Sequence, residues 1–323
     1  MTNATVEVHL SPSFFDEALR SDARHGLLAQ PRRIPPKWFY DKRGSELFDA
    51  ITETEEYYPT RRERSILATH AREIAERTKA RTIIELGSGS SEKTRLILDA
   101  AQREGSLERF VPFDVCEEAL RGALNVLAER FPNLDLAGVV GDFEEHLWAL
   151  PQGDRRMIVL LGGTIGNFEP TSRAAFLASI RTVLAPGDWL LLGTDLVKDA
   201  AKIERAYNDA SGITAEFNRN VLAVMNRELG ADFDVDAFAH RAWFDAANSW
   251  IEMQLVSTTD QRVTIAALDT HIDIAADEAI RTEISAKFQP DGIAGELTQA
   301  GFRTEAFWTD DLDDFGLTLA QAI

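Results

Sequence analysis

Between about residue 81 and residue 196 the chain repeats one pattern: a short, mostly apolar run, a turn, then a segment with helical spacing. The apolar runs are 82–86, 109–113, 135–140, 157–161 and 189–193. Each is too short for a buried helix and mostly apolar, as expected of a strand covered on both faces. The intervening segments 93–101, 120–130 and 171–184 carry apolar residues at helical spacing. Strands alternating with helices specify a parallel α/β sheet with helices on both sides. Ligands of such sheets sit at the carboxyl ends of the strands.

Outside this block the alternation stops. Residues 198–210 and 215–229 read as helices, the second closed by Gly230. Residues 249–257, 262–267, 271–274 and 282–288 have period-two character and read as strands. A helix over 293–300 and a closing hairpin of 302–308 with 316–320 complete the chain. On the amino-terminal side, 13–28 and 45–51 read as helices around a proline-containing stretch, 30–38. Thr60-Arg61-Arg62-Glu63 fits a capping box, which starts a helix at residue 60 that runs to about 77. The division expected is an α/β domain of 62–196 with 288–323, and a mixed α+β domain of 1–61 with 197–287.

Charge removes several function classes. With 34 Lys+Arg against 53 Asp+Glu the net charge is −19, a field that repels phosphate backbones and anionic lipid. Neither nucleic acid nor membrane is expected as a partner, whereas a small ligand, including a cationic one, is compatible. The single cysteine, Cys116, cannot form an intramolecular disulfide. Met1 to Glu7 lacks a basic region followed by an apolar stretch, and no run approaches the roughly 20 apolar residues of a membrane span. A cytoplasmic monomer is the expectation. The six histidines show no metal-binding spacing, so no metal is expected. The acidic run from Asp310 to Asp314 reads as a solvated loop.

Three strand ends carry chemistry. Glu85-Leu86-Gly87-Ser88-Gly89-Ser90-Ser91 joins the first strand to its helix, and its glycines let backbone approach a ligand closely. Glu92 stands where a dinucleotide fingerprint would have its third glycine, which disfavours a dinucleotide. Ser90 or Ser91 can cap the following helix, whose amino end, with Lys93 in the first turn, suits a carboxylate. Asp114 closes the second strand, where a carboxylate can accept from a ribose diol. Asp142-Phe143 closes the third, pairing an acceptor for an adenine amino group with a ring to stack on the base. Each acid alone reads more readily as a helix cap or a solvated loop residue; the glycine turn, Asp114 and Asp142 together, in strand-end register, point to a nucleoside ligand.

This combination resembles the class I S-adenosylmethionine (SAM) dependent methyltransferases, with their Rossmann-like sheet. Longer segments resemble the histidine-specific methyltransferase family. They are Pro35-Pro36-Lys37-Trp38-Phe39-Tyr40-Asp41, Glu56-Tyr57-Tyr58-Pro59-Thr60-Arg61, the Glu85 to Thr94 turn, Gly141-Asp142-Phe143-Glu144-Glu145 and Thr164-Ile165-Gly166-Asn167. Gly193-Thr194-Asp195-Leu196-Val197-Lys198-Asp199, Phe217-Asn218-Arg219-Asn220-Val221-Leu222 and Ser285-Ala286-Lys287-Phe288 continue the likeness. It is weakest in the first dozen residues and around 232–250. The resemblance implies Nα-trimethylation of L-histidine to hercynine, the first step of ergothioneine biosynthesis, with three SAM consumed per product. It places the cofactor on Gly87, Lys93, Asp114, Asp142 and Phe143, with Tyr40 nearby. It places histidine on Tyr57, Asn167, Tyr207, Glu283, Ile284 and Ser285.

The residue types suit those roles. An Asn167 amide can accept from an amine and donate to a carboxylate. On a strand, Glu283, Ser285 and Lys287 share one face, so Glu283 and Ser285 can grip both imidazole nitrogens. Met253 alternates with Ile251 and Leu255 and either lines the pocket or is plain core. Tyr40 or Phe48 could face the growing methylammonium through a cation–π contact. No dedicated catalytic base is expected. Two other readings remain open at this stage: a SAM-dependent N-methyltransferase for another small amino acid or amine, and a catalytically silent SAM-binding module.

Overall fold

The computed structural model describes residues 4–11 and 13–323. Met1, Thr2 and Asn3, which open the segment read as lacking a leader, lie outside the described residues, as does Pro12. The chain divides into two compact units. One comprises residues 4–11, Pro59–Val197 and Phe288–Ile323; the other comprises residues 13–58 and Lys198–Lys287.

The first unit is built on an eight-stranded sheet. In spatial order its strands are Ala4–Val8, Asp135–Val140, Arg109–Asp114, Thr82–Leu86, Arg156–Leu160, Trp189–Asp195, Phe315–Ala322 and Phe302–Thr309. From Ala4–Val8 through Trp189–Asp195 every pairing is parallel. Phe315–Ala322 then inserts antiparallel to both of its neighbours. Chain order reverses at Thr82–Leu86, which pairs with Arg109–Asp114 on one side and Arg156–Leu160 on the other. Such a reversal opens a crevice at the carboxyl ends of the flanking strands. Helices Pro59–Thr78, Thr94–Glu104, Glu117–Arg130, Pro170–Val183 and Pro290–Gln299 accompany the sheet. Ile83, Ile84, Phe110, Val111, Ile158 and Leu191 are fully buried, each side chain contributing about 1.5–3 kcal/mol of hydrophobic free energy.

The strands found from the apolar runs agree closely with those expected, but three edge strands were missed, one of them the two-residue strand Arg32–Arg33 within the proline-containing stretch. Ala4–Val8 pairs with Asp135–Val140, so residues 4–11 belong to the sheet unit and not, as expected, to the mixed one. Its burial pattern has no continuous apolar run to betray it. Phe238–Asp245 was likewise unmarked and also buries alternate residues only. The helix expected from residue 60 begins at Pro59, where the fixed proline φ suits a first turn. Glu63, the acid of the supposed capping box, is fully buried and serves elsewhere. The acidic run is a solvated loop only at its middle, where Asp311, Leu312 and Asp313 are exposed. Asp310 and Asp314 are buried and both pair with Arg62, and Asp310 accepts from the amides of Asp314 and Phe315.

The second unit holds a four-stranded sheet in the order Arg32–Arg33, Ala279–Ala286, Trp250–Ser257, Phe238–Asp245, and a separate hairpin of Gln261–Ile265 with Thr270–Ile274. Helices Phe14–Leu27, Lys42–Thr52, Ala200–Ala206 and Ile213–Leu229 belong to the same unit. Its core gathers Phe39, Phe217, Leu222, Met225, Ile251, Met253, Leu255 and Ile280. One irregularity matters for function. Ile280 lies opposite Leu255, but after a shift of register between Arg281 and Glu283, Glu283 lies opposite Met253 and Ser285 opposite Ile251. Directly opposed residues share a face, so the bulge turns Glu283 and Ser285 onto the face of Ile251 and Met253.

Candidate active site

In the first unit the strand ends converge as expected. Gly87 adopts φ +68°, and a Cβ there would lie 3.7 Å from the Phe143 ring, in ordinary contact. The backbone conformation, more than space, therefore favours glycine at this position. The Gly87 and Ser88 amides donate to the Phe113 carbonyl, tying the turn to the neighbouring strand end. Asp114 accepts from the Gly89 amide at 2.8 Å and the Cys116 amide at 2.9 Å. Desolvation pushes its carboxyl up from the ordinary value, opposed by those amides. Asp142 is buried and accepts from the Glu144 amide at 2.9 Å. Phe143 packs on Phe176 at 5.4 Å, and Phe176 stacks on Phe168 at 4.8 Å.

Two expectations at the turn are corrected. Neither Ser90 nor Ser91 caps the next helix, which begins at Thr94 with Lys93 in the cap position and no side-chain cap. The anion beside Lys93 is Glu63 of the same chain. Both Glu63 oxygens also accept from the Gly162 amide at 2.9 Å. The carboxylate thus ties the turn after Arg156–Leu160 to the head of helix Thr94–Glu104. A Cβ on Gly193 would come within 2.0 Å of Glu63 Oε1, so the strand Trp189–Asp195 leaves out a side chain to admit that carboxylate.

Glu85 was not singled out from the sequence. It is buried, takes a hydrogen bond from Thr94 Oγ1, and leaves Oε2 without a partner. Desolvation raises its carboxyl to about 7. Ser88 Oγ is also buried and unpartnered, and the buried Ser91 hydroxyl faces the Glu85 carboxyl. An acidic residue in a strand that is otherwise wholly apolar was the available signal. A buried carboxylate oxygen and the Ser88 hydroxyl without partners, with an Asp114 carboxylate oriented by backbone amides, fit a polar nucleoside ligand with a charged tail. Asn167 ends the turn Thr164–Asn167 and is partly exposed, and its side-chain amide bonds to no other described residue.

The second unit brings Tyr57, Tyr207, Glu283, Ser285 and Lys287 together. The Tyr57 and Tyr207 rings lie 6.2 Å apart, edge to face. The Tyr207 hydroxyl donates to Ser285 Oγ at 2.9 Å. Lys287 Nζ donates to Ser285 Oγ at 2.9 Å and to Tyr207 Oη at 3.1 Å, with the ammonium 4.8 Å from the Tyr207 ring centre. Glu283 accepts a hydrogen bond from none of the described residues. Burial pushes its carboxyl up to about 7, and the Lys287 charge opposes that shift. Met253 is fully buried in the core and directly opposite Glu283, so it is a core residue that also flanks the acid. Ile284 pairs with Glu252 on the other face of the strand, and its side chain does not join Glu283 and Ser285. Tyr40 packs edge-on against Phe48 at 5.5 Å and Phe217 at 5.6 Å.

Behind Tyr207 lies a second polar set that sequence reasoning missed. Asn218, fully buried, donates to His240 Nδ1 at 2.8 Å and to the Gln254 carbonyl at 3.0 Å, and accepts from Thr282 Oγ1 at 2.6 Å. With both amide hydrogens so placed, His240 Nδ1 must accept and Nε2–H must donate to the Tyr207 carbonyl, 2.9 Å away. Desolvation lowers the His240 pKa, in keeping with a neutral ring.

Comparison with known proteins gives a consistent set of relatives. The model of a family described as histidine-specific methyltransferase, SAM-dependent, matches residues 19–322. The histidine N-alpha-methyltransferase of Mycolicibacterium smegmatis is 54% identical over 94% of this chain and 95% of its own. The protein of that name from Mycobacterium tuberculosis is 52% identical over 98% of each chain. Ergothioneine biosynthesis protein 1 of Neurospora crassa is 31% identical over 90% of this chain, which spans 33% of that longer protein.

Proposed function

The chain belongs to the histidine-specific, SAM-dependent methyltransferase family, and from that premise we propose that it trimethylates the α-amino group of L-histidine to hercynine, the first step of ergothioneine biosynthesis, in the cytoplasm. SAM supplies an electrophilic methyl group on a sulfonium. In this reading Asp114 holds the ribose diol, Asp142 and Phe143 hold the adenine, and Gly87 lets the backbone approach. The Glu63 carboxylate fixes Lys93 rather than leaving it as a free cation.

The observation that carries the substrate assignment is Glu283. The Glu283 side chain is partly exposed, takes no hydrogen bond from any described residue, and is desolvated enough to be raised to about 7, so a ligand N–H supplies the donor it lacks. Ser285 lies two residues along the same strand face, at the spacing that suits the second nitrogen of an imidazole. An amino acid with an apolar side chain leaves Glu283 unpaired, which discriminates against it strongly. Tyr57, Tyr207 and the Asn167 amide are proposed to hold the amine and carboxylate. Tyr207 already spends its hydroxyl hydrogen on Ser285, so it meets a ligand as an acceptor or through water.

The amine attacks only when neutral. The reference α-amino pKa is about 8, so a neutral fraction exists without a dedicated base, and positioning carries the rate. The test is mass spectrometry of products after incubation with SAM and each free amino acid. Di- and trimethylated histidine is the expected result. Comparable turnover of an amino acid without an imidazole would overturn the assignment.

A further inference from the structure

We propose that Lys287 is a specificity determinant: with Tyr207 it fixes the polarity of the Ser285 hydroxyl, so that this site accepts a ring bearing one N–H and one bare nitrogen. The inference rests on the histidine reading of Glu283 and Ser285 and deepens it.

It follows from counting hydrogens. An ammonium carries three donors and no acceptor, so Lys287 donates in its contacts with Ser285 Oγ at 2.9 Å and Tyr207 Oη at 3.1 Å. The third side of the triangle is the Tyr207 hydroxyl donating to Ser285 Oγ at 2.9 Å. A serine hydroxyl has two lone pairs and one hydrogen. Both lone pairs of Ser285 are now filled from within the protein, and only the hydrogen remains to meet a ligand. Ser285 and Lys287 are both buried, so water does not readily substitute for either partner.

Two residues earlier on the same strand face, ionised Glu283 can only accept. With Glu283 ionised, above its raised value of about 7, the pair therefore presents one acceptor and one fixed donor. Neutral imidazole, with one N–H and one bare nitrogen, satisfies both. An imidazolium ring turns a second N–H against the Ser285 hydrogen. A pyrrole ring satisfies Glu283 but leaves that hydrogen facing C–H. Glu283 alone would not tell imidazole from pyrrole; the triangle anchored by Lys287 does.

The experiment compares kcat/KM for L-histidine with that for the two pyrrolylalanines in which one or other ring nitrogen is replaced by CH. The wild-type enzyme should prefer histidine over the better analogue by about tenfold to a hundredfold, the cost of one unpaired buried donor. In Lys287→Met the Ser285 hydroxyl regains a free lone pair and can turn its hydrogen toward Tyr207, and the preference should shrink by about tenfold. Tyr207→Phe removes the other donor without touching charge, and should shrink it by a smaller factor. A preference unchanged in both variants, with both rates falling in parallel, would mean that Lys287 and Tyr207 only support the fold, and would overturn the proposal. Wild-type enzyme that methylates no histidine would instead overturn the function on which the proposal rests. Should Lys287→Met prove insoluble, Tyr207→Phe carries the test alone.

Discussion

The two units hold their polar groups by different means. In the sheet unit, Asp114, Asp142 and Glu63 are oriented by backbone amides of Gly89, Cys116, Glu144 and Gly162. In the mixed unit, Ser285, Tyr207, Lys287, Asn218, His240 and Thr282 orient one another mainly through side chains, while Glu283 takes no hydrogen bond from any described residue. Asp142, and Asp114 through the Cys116 amide, are held by the turns that carry them and are fixed as the chain folds locally, whereas Glu63 waits for the turn at Gly162. A side-chain set drawn from separate strands and helices is fixed only when the whole unit is packed. The first arrangement is robust and generic; the second can be tuned, at a cost in stability, to one ligand.

The largest effect that would sharpen this contrast lies at Glu283. Its carboxyl is raised from 4.5 to about 7 in the folded protein, so the folded state binds more protons than the unfolded chain between those values. The stability this group contributes is therefore fully present below about pH 4.5 and is lost as pH rises through about 7. Glu283→Gln never ionises. Above pH 7 it should be more stable than wild type by up to about 3 kcal/mol, an upper bound, while losing about a hundredfold in kcat/KM for histidine. Urea unfolding at pH 6 and pH 8, run beside kinetics, reads both. A variant that is inactive and also less stable at pH 8 would break the idea that this acid is held ready for a ligand.

On the sheet side, the corresponding probe is Gly193→Ala. The new methyl would sit 2.0 Å from Glu63 Oε1 and must push the carboxylate off the Gly162 amide and Lys93. Overpacking of this kind costs about 1–3 kcal/mol, and SAM affinity should fall with it. Gly122 is the control. It lies within helix Glu117–Arg130, and a Cβ there meets nothing within 4 Å. Gly122→Ala should stabilise by about 0.5–1 kcal/mol. Thermal melts and SAM calorimetry on the two variants separate a local steric demand from a general intolerance of change.

The same contrast explains what could be read from the sequence. The strands 82–86 and 135–140 were found to the residue because a doubly covered parallel strand is written as a short, mostly apolar run between turns. Gly87, Asp114 and Asp142 were found because strand ends of such a sheet are where ligands sit. Ala4–Val8 and Phe238–Asp245 escaped because an edge strand buries alternate positions only. Glu63 looked like a capping acid, yet its partners are 30 and 99 residues away. Asn218 and His240 gave no local signal at all, since their meaning lies in a network joining residues 207, 218, 240, 254 and 282. Glu283 and Ser285 were reached by family resemblance and strand alternation, but the bulge that turns them to the core face was not.

The smallest expected effect concerns that hidden network. Desolvation depresses the His240 pKa, opposed by the Tyr207 carbonyl and the Asp209 charge and assisted by Arg219. The unfolded chain therefore binds more protons than the folded one as pH falls below the unfolded value of about 6.5. Stability from this group is present above that pH and declines below it, by at most about 1.4 kcal/mol per pH unit for one proton. Asn218→Asp replaces the Nδ2 donor that faces His240 Nδ1 with an acceptor, and an imidazolium then finds a partner on both nitrogens. The baseline stability of this variant should drop, because the bond to the Gln254 carbonyl is lost. Its stability should nevertheless decline less steeply than that of wild type between pH 7 and pH 5.5. Parallel urea-midpoint profiles would mean that the ring is not held neutral by Asn218, and that the second unit's polar set is less tightly coupled than its geometry requires.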